Sequence, residues 1–267
     1  MKQFILGTAP DKGGRVRLDG DDYRYLVRVR RLAPGECFPA LLPGGDEAIV
    51  RVVSVDSRTL VGEIIQGSEQ HEIRQGQLPP IILLQALPKG EKMDLIVRQA
   101  TEGAVAEIVP FVSEFSVARP RGDGERRLVR WQRIIREARQ QSGSAVATVI
   151  RGPESMDGLF AYWEEAQARW PGIVGLLFHH LPLANGSLHG YLGSSQPASQ
   201  ETGRLEAVAI AIGPEGGFSP AEAQRFLAAG FVPVTIGDTV LRTETAALYA
   251  QAAVRIILAE RDSWQTR

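Results

Sequence analysis

Cysteine is all but missing from this sequence, with Cys37 alone among 267 residues. A disulfide framework is therefore excluded, and the composition fits a reducing, cytoplasmic setting. Histidine is scarce too. The four, at positions 71, 179, 180 and 189, have no metal-ligand spacing beside the single thiol, so no metal site is expected. No apolar run approaches the roughly 20 residues that a membrane-crossing helix needs. Asp11 and Lys12 cut short a very brief apolar start, which is not the pattern of a secretory signal. Neither sign of charge dominates: 30 Lys and Arg against 31 Asp and Glu leave a net charge of −1. The sum thus gives no case for nucleic acid, and an RNA-binding face would have to arise from local clustering.

What is present is ordinary for a globular chain: 44% hydrophobic and 23% charged residues, with a length that suits about two domains. Residues 1–70 read as a small, mostly β unit. Strand candidates lie near 3–6, 37–42, 49–55 and 59–65, with one helix candidate over 21–32. Residues 71–80, ending in Pro79-Pro80, read as a linker. From 81 to 267 strands alternate with helices, as in a parallel α/β sheet. The expected strands are 81–87, 105–112, 173–178, 207–212 and 231–236. The expected helices begin at Lys92, cover 126–141, and close the chain over 243–260. Residues 181–204, rich in Gly and Ser, read as a mobile loop, and no internal repeat is visible.

Two segments stand out, residues 210–219 (IAIGPEGGFS) and 236–247 (IGDTVLRTETAA). Each joins an apolar strand to a helix through a turn of Gly or small polar residues. Such turns present backbone N–H and C=O groups to a ligand, because no bulky Cβ blocks its approach. Two in one domain imply a pocket built largely from main chain, suited to a nucleotide-like cofactor. Neither is a GxGxxG or Walker pattern. Alone, Gly213–Gly217 could be a plain strand-to-helix turn, and Thr243 a plain helix cap with Glu244 at the positive end of the dipole. Arg242 is harder to dismiss, since a cation beside a helix N-terminus costs stability unless an anion balances it.

Taken together, GPEGGFS followed by Glu222, and LRTETA running into the last helix, resemble the SPOUT superfamily of S-adenosylmethionine-dependent methyltransferases. More narrowly, the chain resembles the ribosomal small-subunit RNA methyltransferase E family. Further matches are Ala86-Leu87-Pro88-Lys89-Gly90 with Met93, Gln99-Ala100-Thr101-Glu102, Arg130-Trp131, Glu137-Ala138, Gln141-Ser142-Gly143 and Val29-Arg30-Arg31-Leu32. The resemblance implies a PUA-like RNA-binding β-barrel at the N-terminus and a SPOUT-type parallel sheet with a deep C-terminal trefoil knot. Sequence physics alone argues for an ordinary doubly wound sheet, since knots are essentially absent from proteins. The implied activity is methylation of N3 of a specific uridine in 16S ribosomal RNA, with the assembled small subunit as the favoured substrate and a homodimer as the working form. The alternatives are a ribose 2′-O-methyltransferase of the same superfamily and a non-catalytic rRNA-binding assembly factor.

The same resemblance assigns S-adenosylmethionine to Leu84, Gln85, Ala86, Ile212, Gly213, Pro214, Glu215, Gly216, Gly217, Ile236, Gly237, Leu241, Arg242 and Thr243. Arg242 is expected to stabilise charge on the ring or grip a phosphate, with Glu215 or Glu244 taking the N3 proton. RNA contacts are expected from Arg28, Arg30, Arg31, Lys89, Arg126, Arg130 and Arg133. Of these, Arg126, Arg130 and Arg133 share a helix face and form a candidate phosphate track. The N-terminal arginines are interleaved with Asp19, Asp21 and Asp22, which by itself describes a solvated face. Trp131 and Tyr23 are read as packing residues. The chain departs from the family pattern at Phe115 and Ser144, where Arg is usual, at Gln99, where Lys is frequent, and at Tyr23–Tyr25, which replace a His-containing helix start.

Overall fold

The computed structural model describes residues 4–43, 46–67, 78–117, 124–179, 187–192, 205–235, 237 and 239–260. The chain divides into two compact units, Met1–Gly76 with Arg139–Ala147, and Gln77–Ala138 with Thr148–Arg267.

The first unit is a curled five-stranded sheet in the order β1 (Phe4–Ile5), β3 (Cys37–Leu41), β4 (Glu47–Val55), β5 (Leu60–Gly67), β2 (Arg15–Leu18). All pairs are antiparallel except β1 with β3. Strand β2 was not among the expected strands. Its Arg-Val-Arg-Leu alternation sends Val16 and Leu18 into the core and both arginines to solvent. Phe4, Leu26, Phe38, Val50 and Leu60 fill that core, with Phe4 and Phe38 edge to face. The helix expected over 21–32 is shorter and of another kind. One α-turn, α1 (Gly20–Tyr23), leads into a π-helical stretch, Arg24–Val29. It closes with the Leu32 N–H on the Leu26 carbonyl at 3.0 Å, which puts Arg31 in the left-handed region at φ 58°. Tyr23 is buried, its hydroxyl on the Asp56 carbonyl at 2.8 Å, as expected of a packing residue.

The second unit is a six-stranded, wholly parallel sheet: β11 (Val232–Val234), β9 (Ile173–Phe178), β10 (Ala207–Ile212), β6 (Ile81–Ala86), β7 (Glu107–Phe111), β8 (Val149–Ile150). Every residue of β6 and β10 is buried, because helices cover both faces and leave no side for polar alternation. Ile81 and Leu83 face one layer with α2 (Lys92–Glu102), α3 (Gly124–Ser142) and α7 (Thr243–Glu260). Ile82, Leu84 and Ala86 face the other, with α4 (Met156–Arg169) and α6 (Pro220–Ala228). Trp131 is buried in the first layer and donates its indole N–H to Asp94 at 3.2 Å.

Strands β9 and β10 and helix α7 have the limits read from the sequence. Helix α4 and strand β8 were not foreseen. Within the expected loop 181–204, Leu188–Leu192 folds as helix α5; residues 181–186 and 193–204 of that loop and most of the expected linker lie outside the described residues, as do residues 236 and 238 in the stretch after β11 where the knot is expected.

Candidate active site

The two singled-out segments meet. After β10 the chain turns through Gly213–Phe218 and enters α6 at Ser219, whose hydroxyl accepts the Glu222 N–H while Glu222 accepts the Ser219 N–H. This reciprocal cap fixes the exit of the turn. A Cβ on Gly213 would stand 3.1 Å from the backbone of Gly217, so a side chain there would force the folded-back turn to give by a few tenths of an ångström. After β11 the second segment leads through Leu241 and Arg242 into α7, whose first turn is closed by the Ala246 N–H on the Arg242 carbonyl at 2.7 Å.

Thr243 joins them. Its hydroxyl donates to the Gly213 carbonyl at 2.7 Å and accepts from Gln85 Nε2 at 3.1 Å. A residue that the sequence would allow as a simple cap is instead the buried pin between both loops and β6. Gln85, wholly buried, also donates to the Ala86 carbonyl at 2.9 Å.

At the carboxyl ends of β9, β10 and β11 these loops enclose a cavity of about 540 Å³, within the range of small-molecule sites. Of the expected cofactor residues, Ile212, Gly213, Pro214, Glu215, Gly216, Gly217, Gly237, Leu241 and Thr243 line it. Leu84, Gln85 and Ala86 are not among its lining residues. They are buried in β6, and Gln85 supports Thr243. Arg242 is exposed and also absent from the lining, while Ile236 lies outside the described residues. Phe218, Thr239, Val240 and Ala246 line it from within the two singled-out segments without having been named as site residues, and Phe178, His179, Val234 and Thr235 line it from outside them. Their signal was the strand ends themselves, since ligands of parallel sheets gather at the carboxyl edge.

One side of the first loop is clamped by charge. Glu215 accepts the Lys89 N–H at 3.1 and 3.2 Å and the Lys92 ammonium at 2.8 Å. Burial pushes the Glu215 carboxyl up, but Lys92 and the backbone donors outweigh it and hold it below the usual glutamate range. The hydrogen bond to Glu215 lifts Lys92 above the usual lysine range, against the opposing effect of burial. Lys92 also lies 3.4 Å from Glu244 Oε2. That oxygen and Gln85 Oε1 are buried with no hydrogen-bond partner among the described residues. Glu244 Oε2 thus has only the ion pair with Lys92, and Gln85 Oε1 is an acceptor of the kind that a water or ligand completes.

The candidate RNA residues fall on both units. Arg28, Arg30 and Arg31 are exposed around the end of the π-helical stretch, and Lys89 and Arg126 are exposed on the second unit. The stripe on α3 is less basic than its sequence reads: Arg130 is paired with Asp94 and, at 3.5 Å, with Glu91, while Arg133 lies 3.7 Å from Glu137. Asp94 on α2 and Glu91 just before it, which face Arg130, are invisible to a reading of α3 alone.

Comparison with known proteins gives this architecture a lineage. The family model for RNA methyltransferase domains matches residues 76–255, and that for RNA methyltransferase PUA domains matches residues 18–65. A ribosomal RNA small subunit methyltransferase E from Mycobacterium bovis is 31% identical, over 97% of this chain and 93% of its own length. The protein of the same name from Synechocystis is also 31% identical, over 96% and 78%. The crystal structure of a ribosomal RNA small subunit methyltransferase E from Neisseria gonorrhoeae bound to S-adenosyl methionine superposes with a TM-score of 0.77, at 27% identity over 96% of this chain and 98% of that one. The chain belongs to the ribosomal RNA small subunit methyltransferase E family.

Proposed function

We propose that this protein transfers a methyl group from S-adenosylmethionine to N3 of a specific uridine in 16S ribosomal RNA, acting on the small ribosomal subunit. The observation that carries the proposal is the cavity at the carboxyl edge of the parallel sheet, walled by the turns Gly213–Gly217 and Leu241–Thr243. Its main-chain lining and apolar Ile212, Val240 and Leu241 suit an adenosine with an amino-acid tail, and so fit the cofactor. The cofactor, when bound, supplies a methyl group already activated by its sulfonium, so the protein's work is to position N3 and remove its proton.

Within that reading the roles divide by environment. Both oxygens of Glu215 are already engaged by Lys89 and Lys92, which suits it to holding the loop. Glu244 is held more loosely, its buried Oε2 3.4 Å from the Lys92 ammonium with no hydrogen bond, against 2.8 Å for Glu215, which favours it as proton acceptor. Arg242, exposed at the start of α7, offers a guanidinium to the charge that develops on the ring or to a neighbouring phosphate. Residues 1–70 form the PUA-like RNA-binding domain, 71–80 the linker, and 81–267 the methyltransferase domain with its knot. Arg28, Arg30, Arg31, Lys89 and Arg126 carry phosphate contacts, and Arg130 and Arg133 join them where RNA displaces their carboxylates.

The working form is a cytoplasmic homodimer. Support comes from α7, which leaves Leu248, Tyr249 and Ile256 exposed on an otherwise well-packed helix. No helix among the described residues is long and apolar enough to cross a membrane.

Single-turnover methyl transfer to unmethylated small subunits, read by nucleoside mass spectrometry, tests the reaction. N3-methyluridine is the expected product. A 2′-O-methylated nucleoside would overturn the target atom, and transfer to no nucleoside would leave the assembly-factor reading. Arg242→Ala and Glu244→Gln should each slow transfer by about a hundredfold or more, on the scale of general acid–base and charge-stabilising groups. Near-normal rates in both would contradict the assigned roles.

A further inference from the structure

Phe115 is a large aromatic side chain left 45% exposed. The turn that carries it, between β7 and α3, is tightly held. The Ser116 N–H bonds the Ser113 carbonyl at 3.0 Å, and the Ser113 N–H bonds Ser116 Oγ at 3.1 Å, both serines being buried. The Glu114 N–H donates at 2.7 Å to Glu222 Oε1, the same buried carboxylate that caps α6. The turn is thereby fixed to the frame that shapes the glycine loop, with the ring of Phe115 displayed from it.

The ring lies against that loop. A Cβ on Gly216 would come 2.9 Å from Phe115 Cβ and 3.3 Å from its Cγ, so the approach depends on glycine. Gly216 is exposed and lines the cavity, so Phe115, which is not itself a lining residue, stands immediately beside the cavity wall. Val240, 80% exposed, lines the same cavity. A phenylalanine serving only to fill space over Gly216 would gain by being buried, as Phe111 and Phe218 are. Nearly half of this one faces water, on a rigid support.

Resting on the function proposed above, we infer that Phe115 is the stacking platform for the unstacked base that receives the methyl group. A base methylated on a ring nitrogen in a structured RNA has to leave its stack to bring that atom in line with the methyl carbon. An aromatic face beside the cavity wall replaces the stacking lost, and does so for any planar ring, having no group with which to read hydrogen bonds. Phe115 therefore orients the ring, while discrimination of uracil falls to polar groups elsewhere in the site.

Full-length Phe115→Ala, Phe115→Leu and Phe115→Tyr, assayed by single-turnover transfer to unmethylated small subunits and by calorimetric binding of S-adenosylmethionine, test the assignment. Base stacking predicts that Ala and Leu slow transfer by roughly tenfold to a hundredfold with cofactor affinity little changed, and that Tyr restores most of the rate. Leu matching the native residue would overturn it, since bulk alone would then suffice. A parallel loss of cofactor affinity in the Ala variant would reduce Phe115 to a support for the Gly216 turn and overturn it equally. Absence of transfer by the native chain would instead defeat the methyltransferase reading itself, and this inference with it.

Discussion

Lys92 lies between Glu215, on the glycine loop, and Glu244, in the first turn of α7, and so couples the electrostatics of two walls of the site. Nothing local in the sequence marks it, because its closest carboxylate lies 123 residues further along the chain. Glu215, lowered on balance, stabilises the fold above its usual value of 4.5 and loses that contribution as pH falls through the lowered value. Lys92, raised, contributes fully below its usual 10.5 and loses the contribution only as pH climbs through the raised value. The clamp is thus intact from the carboxylate range up to the lysine range. In Lys92→Met the hydrogen bond and charge of Lys92 that lower Glu215 are lost, leaving burial opposed only by the backbone donors, so the carboxyl moves upward. Titration of S-adenosylmethionine binding against pH should show the acid limb moved to higher pH in this variant. An acid limb that stays where it is in the native protein would contradict the clamp.

At the scale of elements, legibility followed burial. Strands β9 and β10 and helix α7 could be read to the residue because their apolar content is set by two covered faces or by helical periodicity. Four-residue β2 and two-residue β8 are too short to carry a pattern against their surroundings. In the site, glycine and small polar residues announced both turns, whereas the seam between them depends on Thr243 and Gln85, which are 158 positions apart. The N-terminal helix was legible in place but not in type. Its end is unusual in putting Arg31, not glycine, in the left-handed region at φ 58°. An L side chain there costs about 1 kcal/mol, a strain that a phosphate contact by Arg31 would offset. Arg31→Gly should therefore raise thermal stability slightly while weakening RNA binding, lowering the slope of log affinity against log salt by about one. Destabilisation with an unchanged salt slope would remove Arg31 from the RNA-binding set.

At the scale of the whole molecule, the two units are each held by their own core. Self-association makes a separate prediction through α7. Tyr249 and Ile256, each 55% exposed, lie seven residues apart on one helical face. Light scattering at micromolar concentration should report a dimer, and Tyr249→Glu with Ile256→Glu should report a monomer that is still folded. A native monomer with full activity would contradict the dimer. The seam between the two loops has the most direct test: calorimetric titration of S-adenosylmethionine into the native chain and into Thr243→Val, with thermal unfolding to show that both are folded. Removing one buried hydroxyl with two partners costs on the order of 1–3 kcal/mol, so one saturable site per chain should weaken about fivefold or more. No binding to the native chain, or the same affinity in both, would contradict a cofactor pocket built by these two loops.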